Sequence, residues 1–115
     1  MKKIIALTIC LLLLFGKDIC IASTLLEAAL NNSIGEVKQI IENGANVNMK
    51  NQKGATSLHI AVNIKSIELV QLLIDKGADV NAKANNGWVP IHFAAANKSI
   101  ELVQLLIDKG ADVNA

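Results

Sequence analysis

Arginine and tyrosine are missing from this chain of 115 residues, which has one proline, one tryptophan and two cysteines. Each shortage excludes something. Aromatic residues make up only 3% of a chain that is 52% hydrophobic, so a core has to be built from Leu, Ile, Val and Ala. The eleven basic residues are all lysine and face ten acids, giving a formal charge of +1. No strong field draws such a protein to nucleic acid. Nor are its lysines interleaved with aromatics, as single-strand binding requires. The arginine-free composition, rich in Lys, Ile and Asn, hints at an AT-rich genome. A chain of this length holds one domain.

Both cysteines, Cys10 and Cys20, fall at the start, in a segment unlike the rest. Met1-Lys2-Lys3 is basic, and Ile4–Phe15 ("IIALTICLLLLF") carries no charge. As a helix that run reaches about 18 Å, short of the roughly 30 Å of a bilayer core. Residues 1–22 read as a secretory signal peptide, with Ala22 last before the cut and Cys20 two before it. The alternative is an uncleaved membrane anchor, which places Lys17 and Asp18 near the hydrocarbon edge. Cleavage removes three of the lysines and one acid, leaving a formal −1 and no thiol. Oxidation then neither helps nor harms the exported chain.

Catalytic patterns are scarce too. His59 and His92 are the only histidines and have no cysteine nearby, whereas a metal site needs more converging ligands. Glu68, Asp75 and Asp79 recur with the chain's internal period and read as a solvated face, not an acid–base pair. Neither glycine pattern of the phosphate-binding loops occurs.

What the chain does have is a repeat. "SIELVQLLIDKGADVNA" stands at Ser66–Ala82 and again at Ser99–Ala115, offset by 33 residues. The same offset relates Gly44, Gly77 and Gly110, Gly54 and Gly87, His59 and His92, and Ala28, Ala61 and Ala94. Two full units follow, 50–82 and 83–115, after a degenerate one at 23–49. Each reads as helix, turn, helix and extended loop. Thr56 and Ser66 are placed to cap helices, and Ser33 and Glu36 have capping-box spacing. Gly77 and Gly110 stand as helix stops. Ile67, Leu69, Val70, Leu72, Leu73 and Ile74 make a stripe too wide for a helix covered on one side. Stacked copies can bury it; one unit cannot. The identical letters answer that interface or record a recent duplication.

With these motifs in view, residues 23–115 resemble the ankyrin-repeat family. The likeness rests on the period, on "ATSLHIAV" and "VPIHFAAA", on "ELVQLLIDKGADVNA" twice and on "GEVKQIIENGANVN". It implies an all-α repeat solenoid of antiparallel helix pairs with projecting β-hairpin loops, non-enzymatic protein binding and no cofactor. Departures exist: Val89 replaces the capping Thr of Thr56, Ser57 replaces the proline kept at Pro90, and Asn32, Lys65 and Lys98 stand where the family usually has glycine. With three repeats near the minimum for independent folding, a marginal fold is expected.

The resemblance also implies where a partner docks: the hairpin tips and the concave face of the first helices. That assigns Lys50, Gln52, Lys53 and Ala55 in one tip, Lys83, Asn85, Asn86 and Trp88 in the other, and Phe93 on the helix face. The tips differ between copies while the second helices do not, so packing does not dictate them. Trp88 is either a binding anchor or a residue lying flat on the next hairpin. His59 and His92 are implied to brace the hairpins through backbone hydrogen bonds.

The last unit lacks the polar outer face of a capping repeat. Its stripe, Leu102, Val103, Leu105, Leu106 and Ile107, marks a truncated array, a self-associating end or a second binding surface. The function expected is an exported bacterial module, periplasmic or secreted, that binds a protein and neither nucleic acid nor, once cleaved, membrane. The alternatives are a degenerate remnant with no partner and a periplasmic chaperone or inhibitor acting by occlusion.

Overall fold

The structure, a computed structural model, describes residues 17–113, with side chains from residue 24 onward. Six helices follow in order: α1 (Lys17–Leu30), α2 (Ile34–Glu42), α3 (Ser57–Asn63), α4 (Ile67–Asp75), α5 (Pro90–Ala96) and α6 (Ile100–Asp108). They pair as α1/α2, α3/α4 and α5/α6, and the pairs stack through α1 on α3, α3 on α5 and α2 on α4. This is the expected all-α solenoid. The apolar run at 4–15 lies outside the described residues, whereas Ala22 falls within α1. Among the described residues, no helix is long and apolar enough to cross a membrane.

Helices α3 and α5 have only seven residues each, too few to persist alone in water. Their ends are therefore fixed by local chemistry. At α3 the Thr56 hydroxyl accepts from the His59 amide at 3.4 Å. Val89 cannot repeat that at α5; Pro90 supplies a preset first turn there, and His92 Nδ1 accepts from the Val89 amide at 3.0 Å. Ser66 caps α4, its hydroxyl accepting from Leu69 N at 3.3 Å. Ser33 stands at the N-cap of α2 as its spacing to Glu36 suggests, but without the Ser side-chain bond of a capping box. Its ψ of 78° falls short of the extended range, and its side chain makes no cap bond.

The turn inside each pair is a Schellman motif. Lys65 N donates to Val62 O at 3.0 Å and Ser66 N to Ala61 O at 3.1 Å. The motif needs a left-handed residue, and Asn32, Lys65 and Lys98 fill it with φ of 55°, 62° and 56°. The lysines bear a strain that glycine would not.

The projecting loops differ from expectation. No strand occurs among the described residues. Two backbone bonds close each loop: Asn51 N to Ala55 O and Gly54 N to Asn51 O, both 2.9 Å, in one, and Ala84 N to Trp88 O at 2.8 Å and Gly87 N to Ala84 O at 2.9 Å in the other. Other tip groups bond partly to the Asn51 and Asn86 side chains of their own loops and partly to the neighbouring loop.

Stacking buries the core. Leu58, Ala61, Val62, Leu69, Val70, Leu73, Leu102 and Leu106 are fully buried. Val70 and Val103 hold matching places in identical helices, yet only Val70 is fully enclosed. Val70→Ala therefore costs about 2 kcal/mol and Val103→Ala about half that or less, read from denaturant midpoints. Lys65→Gly and Lys98→Gly each add about 0.5–1 kcal/mol in the same measurement.

Candidate functional site

His59 ties one repeat to the next. Its Nδ1 accepts from the Thr56 amide at 3.0 Å, with the Thr56 hydroxyl also 3.0 Å away. An accepting Nδ1 carries no proton, so the neutral ring is protonated on Nε2. That N–H donates to the Trp88 carbonyl, 3.1 Å away, the same oxygen that closes the following loop. Burial lowers the His59 pKa, and hydrogen bonds to the Trp88 and Ala82 backbone only partly oppose it. His92, its counterpart, is half-buried.

The loops also hold each other. Asn85 N donates to Lys53 O at 2.9 Å, Asn85 Nδ2 to Gln52 O at 2.8 Å and Lys50 Nζ to Lys83 O at 3.0 Å. Gly54, at φ 76°, lies so close that a Cβ there would meet the Asn85 Oδ1 at 2.5 Å and its N at 2.7 Å. Only glycine fits that approach.

Between these loops and the inner helices runs an open groove of about 610 Å³. Ile60 and Phe93 give its apolar floor, and Gln52, Lys53, Asn85 and Asn86 its polar rim, with Ala55, His59, Asn63 and Ala84 completing the wall. Six of the expected partner-binding residues thus come together: Gln52, Lys53, Ala55, Asn85, Asn86 and Phe93. Lys50, Lys83 and Trp88 are not part of the wall. Trp88 is 39% exposed and lies on its own repeat, with its ring centre 5.0 Å from Phe93 and 5.7 Å from His92. Ile60, Asn63 and Ala84 were not anticipated; Ile60 precedes Phe93 by the repeat period, which was the available signal.

Three stacked helix pairs, Schellman turns and a histidine clamp between repeats all point one way. The family model described as ankyrin repeats (three copies) matches residues 25–115. The chain belongs to the ankyrin-repeat family. Ankyrin repeats are generally protein–protein interaction modules. A comparison with curated proteins finds no match. Among the described residues of this ankyrin chain, no group of three or more His, Cys, Asp or Glu could hold a metal ion.

The tips and inner helices also divide charge. Lys50, Lys53 and Lys83 are the charged residues of the two tips, and α3 and α5 carry none, while acids stand on α2, α4 and α6. The groove therefore pairs a neutral floor with a single lysine, Lys53, at its edge.

The clamp sets a pH dependence. Unfolded His59 takes up its proton near pH 6.5, before the folded ring does. Its contribution is complete above that value and is lost as pH falls through the lower folded pKa. Wild-type Tm accordingly drops more between pH 7 and pH 5 than that of His59→Gln, followed by circular dichroism.

Proposed function

We propose that this chain is an exported, non-enzymatic adaptor that holds a partner protein in the groove between its two loops and the inner helices α3 and α5. The observation that carries the reading is the floor of Ile60 and Phe93, apolar and uncharged, set beneath a rim of amides and lysine. Such a groove takes an apolar side chain of the partner, while the rim orients the backbone on either side of it. Lys53 at the rim favours a partner carrying an acid beside that apolar side chain.

Export is supported by the basic start and uncharged run of residues 1–15. The buried side chains described in α1, Leu25, Ala28 and Ala29, all follow Ala22, so cleavage there leaves them in place.

A photo-crosslinking residue placed at Gln52 or Asn86 captures a discrete partner in the native cell, and one at exposed Gln71 on α4 does not. Equal labelling from both sides, or none from the groove, refutes the groove reading. N-terminal sequencing of the recovered protein starts at Ser23; a start at Met1 refutes cleavage.

A further inference from the structure

The floor of the groove continues onto the first repeat. The 33-residue period relates the inner helices α1, α3 and α5, so Glu27 holds the place of Ile60 and Phe93, and Leu30 that of Asn63 and Ala96. Helix α1 stacks on α3 as α3 stacks on α5. The row that begins at Phe93 and passes Ile60 therefore reaches Glu27, where it turns from apolar to charged. Glu27 is exposed, and Leu30, one turn further along α1, is 61% exposed. Residues three apart on a helix are surface neighbours. The stack buries Leu25, Ala28 and Ala29 of the same helix and leaves these two outside it.

A carboxylate beside an uncovered leucine has a chemical complement. Lysine and arginine carry a long apolar stem with a charge at its end, so the stem can lie on Leu30 while the cation meets Glu27. The stack also sets a spacing. Packed helices lie about 8–10 Å apart, and an extended chain advances about 3.3 Å per residue. A base at Glu27 is therefore about three or four residues from an apolar side chain seated on Ile60 and Phe93. The rim favours the extended form. Gln52 and Asn86 present carboxamides above the floor. An extended backbone leaves its own N–H and C=O groups open to them, whereas a helix has already paired its own.

We infer that the partner enters as an extended segment with an apolar side chain on Ile60 and Phe93 and, three or four residues away, a lysine or arginine on Glu27 and Leu30. The inference rests on the groove reading above and adds to it the form of the partner and its second point of contact. Charge complementarity selects the occupant: a segment carrying an acid at the same spacing meets repulsion at Glu27.

The test screens the full chain against a displayed library of random dodecapeptides and measures the strongest binder by fluorescence anisotropy. The recovered peptides carry Lys or Arg three or four residues from an apolar residue. Glu27→Lys weakens the strongest binder about tenfold and Glu27→Gln about threefold, with Tm unchanged. A peptide whose base is replaced by Glu regains affinity for Glu27→Lys. Binding that is lost in Phe93→Ser but indifferent to Glu27→Lys overturns the inference and leaves the groove reading standing. So does a base six or more residues from the apolar residue, the spacing of a helix. Recovery of no peptide, or of peptides that bind Phe93→Ser equally well, overturns both. Should Phe93→Ser fail to fold, Asn86→Trp at the exposed rim obstructs the groove in its place and is read the same way.

Discussion

No repeat in this protein can cover its own apolar surface. The stripe on α4 is wider than one neighbour can hide: Leu69, Val70 and Leu73 are all fully buried, whereas Val103, the match of Val70 in the last repeat, is only half-buried. The rest of the fold depends on that demand. It requires small side chains where inner helices meet, and Ala28, Ala61 and Ala94 occupy matching buried positions. It also lets helices as short as α3 and α5 survive, since their stability comes from burial and caps, not from length.

The same demand explains how much could be read from the letters. The period showed which positions correspond, and correspondence is nearly sufficient for helices. Thr56, Ser66 and Gly77 stand where the caps and stops are, and the left-handed turns fall on Asn32, Lys65 and Lys98. Loops were harder. A hairpin signal gives a turn without the length of its ladder, and here two backbone bonds at each tip form no strand among the described residues. Ser33 illustrates a finer limit. Its spacing to Glu36 suits a capping box, but the box depends on a ψ that spacing does not specify.

The groove was legible in part for a related reason. Gln52, Lys53, Asn85 and Asn86 stood out as tip residues that differ between copies. Ile60 did not, although it precedes Phe93 by one period, because an apolar residue in an inner helix reads as core until the neighbouring loop is placed. Trp88 shows the converse. Its letter invites an anchor or a contact with the next hairpin; its ring, 39% exposed, lies on Phe93 and His92 of its own repeat. Its backbone carbonyl, not its ring, makes the connection between repeats, by accepting from His59.

Difference between the tips is therefore not freedom at every position. Asn51 closes its loop by accepting from the Lys53 and Ala55 amides, and Ala84 at the matching place cannot do so. Asn86 takes over part of that task by accepting from Trp88 N at 3.0 Å. Asn85 is more constrained still, since its side chain and backbone hold the neighbouring tip and press on Gly54. A substitution at Asn85 alters the approach of two loops at once, so the rim is part of the scaffold as well as of the surface. The side chains that can change with least effect on the stack are those whose polar ends bind nothing structural, on the exposed side of the groove. Specificity for a partner is thus most easily varied at Gln52 and Lys53, while Asn85 and His59 keep the two repeats in register beneath it.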